Sequence, residues 1–246
     1  MKNPFDLTGK TILVTGASSG IGRGIAIACA GMGARVFITG RNQQRLQDTL
    51  SALEGDGHKA IPADLTEKEQ RSALIDALPE LDGLAQCAGI GNRVPCKLIA
   101  EHDVREVMQV NTEAPILLQS ELLAAKKIRK NASVVYIASA AATMPAQGNA
   151  LYSASKAAII AYAKCLAQEL ASRPIRVNSI SPTMVWTNLA LVGATEEQLH
   201  EAEQNYPLKR YGQPADVANL AVYLLSDASG WMTGSNIEIT GGSLTL

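Results

Sequence analysis

Short runs of apolar and β-branched residues alternate with helical patterns along this chain, and that alternation restricts it to one class of architecture. The extended runs are Lys10–Thr15, Arg35–Thr39, Lys59–Ile61, Gly83–Cys87, Ser133–Ala138, Ile175–Ile180 and Asn236–Ile239. Helical patterns fill the intervals: Gly22–Met32, Asn42–Leu53 with Leu46, Leu50 and Leu53 on one face, and a stretch from Thr66 to about Leu78. Thr66 and Glu69 have the spacing of a capping box for the last of these. Further helices are expected over residues 101 to about 128, with Pro115 kinking or dividing the segment, and over Leu151–Ala171, Glu196–Asn205 and Ala215–Leu225. A strand, a helix and another strand make a parallel pair with a crossover. Such crossovers are right-handed, so helices fall on both faces of one parallel sheet. The pattern predicts an α/β fold.

Composition agrees with this reading. The 246 residues allow one or two domains at roughly 150 residues each. No Pro/Gly/Ser linker or internal repeat divides them, so one domain, 1–246, is expected. With 47% hydrophobic and 18% charged residues the chain is not disordered. A net charge of −1 offers no counterion release to a nucleic acid. Aromatics are only 4%, so the core must be built from Ala, Ile, Leu and Val, which suits α/β layers. The start, Met1 to Asp6, has no apolar signal region, and no run approaches ~20 apolar residues. Cys29, Cys87, Cys96 and Cys165 form no metal-type pair, and His58, His102 and His200 are far apart. A cytoplasmic protein with reduced thiols and no metal, nucleic acid or membrane partner is expected.

The first extended run opens into Thr15-Gly16-Ala17-Ser18-Ser19-Gly20-Ile21-Gly22. In the spacing G-x-x-x-G-x-G, Gly16 serves a tight turn, Gly20 a close approach to a diphosphate and Gly22 the packing of helix on sheet. The helix that follows offers unpaired N–H groups and partial positive charge to phosphate. The bland alternative is a glycine-rich turn with no ligand. Gly16-x-Ser18-x-Gly20 also matches a hydrolase nucleophile elbow, but no histidine falls late enough in the chain to serve it.

The second extended run ends Thr39-Gly40-Arg41. An acidic residue there would bind the ribose 2′-hydroxyl of NAD; an arginine forks onto the 2′-phosphate of NADP. Gly40 replaces the acid and Arg41 follows, so NADP(H) is preferred and NAD(H) is the alternative. As a rival reading, Arg41 is simply a solvated residue at a helix start.

Tyr152 and Lys156 stand four apart on one helix face, and Ser139 ends a strand thirteen residues before Tyr152. Ligands bind at such strand ends in open α/β sheets. With the glycine loop, Asn111, Ser139, Tyr152, Lys156 and the closing Thr240-Gly241-Gly242, the whole chain resembles the short-chain dehydrogenase/reductase (SDR) family, and among its members the 3-oxoacyl-(acyl-carrier-protein) reductases.

The resemblance implies a Rossmann-type, doubly wound seven-stranded sheet of order 3-2-1-4-5-6-7, a homotetramer assembled through the Tyr152 helix and its predecessor, and interconversion of a carbonyl and a secondary alcohol by hydride transfer. Tyr152 would be the acid/base. A free phenol has a pKa of about 10, and a nearby ammonium on Lys156 favours its phenolate. Ser139 would hold the substrate oxygen. Asn111 would hold a water linking Lys156 to solvent. Cofactor-binding positions implied are Gly16, Ser18, Ser19, Gly20, Ile21, Gly22, Arg41, Asp64, Leu65, Cys87, Ala88, Gly89, Tyr152, Lys156, Pro182, Val185 and Thr187, with Asp64 at the adenine and Val185 and Thr187 at the carboxamide. Two positions depart from the family pattern. Gln86-Cys87 replaces Asn-Asn, which puts the side-chain bonds steadying the fourth strand in doubt. Thr183 replaces glycine after Pro182 and would be strained if that position required φ > 0.

The substrate is less determined. A 3-oxoacyl thioester, a sugar or polyol, and a small ketone all remain open, as does a non-catalytic NADP(H)-sensing role. Lys126, Lys127, Arg129, Lys130 and Arg173 form a basic cluster suited to an acidic acyl carrier protein, or else a solvated helix end. Leu189, Leu191, Val192 and Leu199 make the 188–206 loop apolar, which favours a partly apolar substrate.

Overall fold

The computed structural model describes residues 3–191 and 195–243. Met1, Lys2 and Val192 of the preceding reading lie outside the described residues. The strands are β1 (Thr11–Thr15), β2 (Arg35–Gly40), β3 (Lys59–Pro62), β4 (Leu81–Gln86), β5 (Ile128–Ile137), β6 (Arg176–Pro182) and β7 (Asn236–Ile239). They form one sheet in the order β3-β2-β1-β4-β5-β6-β7, every neighbouring pair parallel. This is the predicted class and order.

The helices are α1 (Gly20–Gly31), α2 (Gln43–Leu50), α3 (Lys68–Ala77), α4 (Glu101–Met108), α5 (Ala114–Ala124), α6 (Ala150–Glu169), α7 (Glu196–Glu203) and α8 (Pro214–Leu225). Strand side chains alternate between two cores, because successive residues point to opposite faces. Ile12, Val14, Val36, Ile38, Val135 and Ile137 pack under α1 and α8 with Ile25, Cys29, Val217 and Leu225. Leu13, Phe37, Val134 and Tyr136 pack on the other face under α3, α5 and α6 with Leu74, Leu118, Leu122, Ile159 and Leu166. Both faces are apolar, so the strands read as continuous apolar runs.

β1 pairs with β2 on one side and β4 on the other. The chain therefore leaves these two central strands in opposite senses, and a crevice opens at their carboxyl ends. That is where the site lies.

The local expectations fail at three places. Thr66 does not cap α3; its N–H and hydroxyl both donate to Asp64 Oδ1, at 3.0 and 2.7 Å, and α3 starts two residues later after Glu67. The turn made by Asp64 captures the threonine before a helix can use it. The segment expected to be helical to about 128 is interrupted by a π-helical turn, Gln109–Glu113, which lies before Pro115, and ends at Ala124. Pro115 sits in the first turn of α5, where its missing N–H costs nothing. Lys126, at φ 57°, turns the chain, and β5 begins at Ile128. Finally, α2 stops at Leu50, three residues short of Leu53.

Candidate active site

The β1–α1 turn brings two loops into backbone contact. Gly16 adopts φ 63°, and a β-carbon there would stand 2.8 Å from the Ala88 backbone. Thr15 Oγ1 reinforces the junction by accepting from the Cys87 and Ala88 N–H groups at 3.0 and 3.2 Å. A β-carbon on Gly22 would lie 2.5 Å from the Gly16 carbonyl oxygen, so only glycine lets α1 start this close to the strand. The N-cap, Ser19, makes no side-chain capping bond, and the first turn of α1 has no acid. Its leading N–H groups and dipole are thus left for an anion.

A cleft of about 440 Å³ runs over this turn, lined by Gly16, Ser18, Ser19, Gly20, Ile21 and Gly22. Toward one end Gly40 terminates β2 beside Ser18, followed by Arg41. Arg45 also lines the cleft and escaped the sequence reading. Its signal was its spacing, one turn beyond Arg41 on a helix capped by Asn42, whose Oδ1 accepts from Arg45 N at 2.9 Å. Neither arginine makes a salt bridge among the described residues. Asp64 and Leu65 line the same region, with Asp64 oriented by Thr66.

The remaining predicted residues gather in the rest of the cleft: Cys87, Ala88 and Gly89 after β4, Ser139 after β5, Tyr152 and Lys156 on α6, and Pro182, Val185 and Thr187 after β6. Ser139 Oγ accepts from Ala141 N at 3.1 Å, which fixes it at the strand end. The half-buried Tyr152 phenol is raised above its ordinary pKa by burial, an effect opposed by a hydrogen bond with Ser139. Lys156 is 5% exposed and donates to the Ile137 carbonyl at 3.0 Å. Burial lowers its ammonium to about 8, against a smaller opposing effect of Cys87. Burial likewise pushes the Cys87 thiol upward, leaving a neutral group beside the lysine.

Asn111 does not line the cleft. It is buried behind Gly89, in the π-turn, and its side chain reaches the loop after β4. Its Oδ1 accepts from Ile90 N at 2.8 Å; its Nδ2 donates to Ile90 O at 2.9 Å and Ser155 Oγ at 3.1 Å. A β-carbon on Gly89 would meet Asn111 Oδ1 at 3.2 Å and Lys156 Nζ at 3.3 Å, so the two side chains share one neighbour.

Both departures from the family pattern are accommodated. Gln86 donates to the Pro115 carbonyl at 2.9 Å, tying β4 to α5. Thr183 is not among the residues with positive φ; it donates from N to Ile239 O and from Oγ1 to Thr240 O, both at 3.2 Å. The expected strain is absent because its φ is not positive, and its hydroxyl holds β6 beside the closing loop.

The basic cluster is only partly a solvated helix end: Lys126 and Lys130 are exposed, whereas the other three cations are held internally. Lys127 and Arg173 donate to the carbonyls of Leu78 and Ile128, and Arg129 pairs with Glu80 at 3.2 Å and Asp82 at 3.0 Å. Of the five, Arg129 has its charge met by carboxylates. No histidine lines the cleft, which leaves Ser18 without a base. Other lining residues not anticipated include Asn92, Arg93, Asn149, Met184 and Asn188. Among the described residues no helix is long and apolar enough to cross a membrane.

Comparison with known proteins agrees with this geometry. The family described as Enoyl-(Acyl carrier protein) reductase matches residues 16–243. A 3-oxoacyl-(acyl-carrier-protein) reductase FabG of Rickettsia felis is 36% identical over 244 residues, 98% of this chain and 100% of the relative. An L-xylulose reductase of Caenorhabditis elegans is 33% identical over 245 residues, 97% of each chain. A solved short chain dehydrogenase/reductase family protein superposes with TM-score 0.87 at 31% identity, covering 96% of this chain and 98% of that one.

Proposed function

This chain belongs to the short-chain dehydrogenase/reductase family, and on that premise we propose that its residues 1–246 form one catalytic domain that interconverts a carbonyl and a secondary alcohol with NADP(H). One observation carries the reading: a single cleft is lined by the glycine turn, by Arg41 and Arg45, and by Ser139, Tyr152 and Lys156. The turn fits a dinucleotide, since β-carbons at Gly16 and Gly22 would collide with backbone and the α1 N–H groups are open to phosphate. Arg41 and Arg45 select the 2′-phosphate. When bound, the nicotinamide supplies or accepts the hydride.

The protein's part is positioning and proton transfer. Ser139 donates to the substrate oxygen and stabilises negative charge developing there. Tyr152 protonates that oxygen in reduction and removes the proton in oxidation. Charged Lys156 favours the phenolate by its field and binds the ribose. Asn111, held on Ile90 and Ser155, orders the water that replenishes the proton.

The first substrate class is a 3-oxoacyl thioester, after the FabG relatives. Docking of a carrier protein on the Lys127–Arg129 region is not part of the proposal, because Arg129 is paired with Glu80 and Asp82 and Lys127 is tied to the Leu78 carbonyl. Polar lining by Asn92, Arg93, Asn149 and Asn188 favours a second reading, a sugar or polyol, as does the L-xylulose reductase relative. The homotetramer is proposed through α6, where Ala154, Ala157 and Ala161 form an exposed stripe of small residues. A carbonyl panel of β-ketoacyl thioesters, ketoses and small ketones, run with NADPH and NADH, tests the proposal. Binding of NADPH with no oxidation of it across the panel would replace catalysis by nucleotide sensing.

A further inference from the structure

Resting on that reading, we propose that Glu203 is a positioning residue that sets one wall of the cofactor cleft from outside the cleft. The wall is the segment Met184–Thr187 beyond β6. Val185 and Thr187 line the cleft, whereas Trp186 does not and turns to the opposite side. There it meets α7. Trp186 Nε1 donates to Glu203 Oε2 at 2.9 Å, and the same oxygen accepts from Tyr211 N at 3.2 Å. His200 Nδ1 lies 3.0 Å from the other oxygen. Glu203 is 9% exposed, so its carboxylate has exchanged water for these donors.

Tilted and edge-on ring contacts complete the arrangement. Trp186 lies 4.6 Å from His200 and 5.7 Å from Tyr211, and Tyr211 meets Tyr206 edge-on at 5.0 Å. Backbone bonds grip the same segment from the other strand of the loop: Trp186 N donates to Gly212 O at 2.9 Å and Gly212 N to Met184 O at 3.0 Å. Two residues flanking Trp186 therefore take their place in the cleft from a carboxylate that never touches the cleft. A buried carboxylate with several donors tolerates little displacement, because each lost bond leaves a buried polar group unsatisfied. Rotation of the indole would carry Val185 and Thr187 with it. The ligand that senses this wall is the nicotinamide end of the dinucleotide.

The test measures binding of NADPH by titration calorimetry and Trp186 emission in a Trp231→Phe background, Trp231 being fully exposed. Glu203→Leu is expected to weaken NADPH binding roughly tenfold or more while the stoichiometry stays at one per chain. Glu203→Gln is expected to bind within about twofold of the parent, since its amide oxygen can accept from both Trp186 and Tyr211. The Leu variant should also change Trp186 emission in the absence of cofactor. Unchanged affinity, or a fall in stoichiometry at unchanged affinity, overturns the proposal; so does unchanged emission. If Glu203→Leu does not fold, Trp186→Phe keeps an aromatic ring and removes the donor, and must weaken binding a few-fold or the proposal fails. A parent protein that does not bind NADPH overturns the proposed function instead, and the emission of Trp186 then decides the clamp alone.

Discussion

Lys156 holds its ammonium 5.7 Å from the centre of the Tyr152 ring and is anchored by a bond to the Ile137 carbonyl. The pair is rigid because both residues project from the first turns of α6 against β5. Removing only the phenolic oxygen isolates the proton-transfer role. Tyr152→Phe is expected to lower kcat by about 10²–10⁴-fold and to leave NADPH affinity within about twofold. Retained turnover in single-turnover assays would end the assignment.

The same pair sets the pH dependence. Burial raises the Tyr152 phenol, so the acid form needed for reduction persists through neutral pH. Burial lowers Lys156 to about 8, so its charge is lost as pH rises through that value. Carbonyl reduction should therefore be level near neutrality and fall above about pH 8, and Lys156→Arg should move the falling limb upward. The stability sign is opposite. Between about pH 8 and the ordinary value of 10.5 the unfolded chain holds the extra proton, so Lys156 gains stability relative to Lys156→Met as pH rises. A difference in Tm between the two that does not change from pH 7 to 10.5 would contradict the shift.

Arg41 and Arg45 face one end of the cleft without ion-pair partners among the described residues. Arg41→Asp and Arg45→Asp should each raise KM for NADPH by about tenfold while changing KM for NADH much less. The NADPH effect should shrink as salt is added, since both side chains are exposed. Equal losses with the two cofactors would show that neither arginine reads the 2′-phosphate.

Gly22→Ala places a methyl 2.5 Å from a backbone oxygen that has no flexible end to yield. The start of α1 must move, at a cost of roughly 1–3 kcal/mol, with a fall in Tm of several degrees and loss of NADPH binding. Unchanged calorimetric affinity would mean that the turn does not hold the diphosphate.

Ala157 stands in the exposed small-residue stripe of α6. Ala157→Arg should convert a tetramer to smaller species in sedimentation. A parent protein that is already monomeric would remove the proposed assembly.

Much of the fold was legible because its signals are local. Alternation in β1, β2 and β5 places Val14, Val36 and Val135 on one face and Leu13, Phe37 and Val134 on the other without reference to any distant residue. The glycine turn and the Tyr152–Lys156 spacing are local as well. Boundaries were less legible where a side chain had two local choices. Thr66 could cap α3 or join the Asp64 turn, and the π-turn at Asn111 depends on the Ile90 backbone 21 residues away.

The sequence by itself determined the α/β class, the glycine turn, and the residue types proposed for proton transfer, because periodicity and short spacings encode them. Only the tertiary structure decided which charges remain available. Arg129 is neutralised by Asp82, 47 residues distant, while Arg45 joins Arg41 at the cleft. It also decided that Glu203 faces Trp186, 17 residues away, across the back of the cofactor wall. Coulombic and hydrogen-bond partners are set by distance in space, and folding alone converts separation along the chain into that distance.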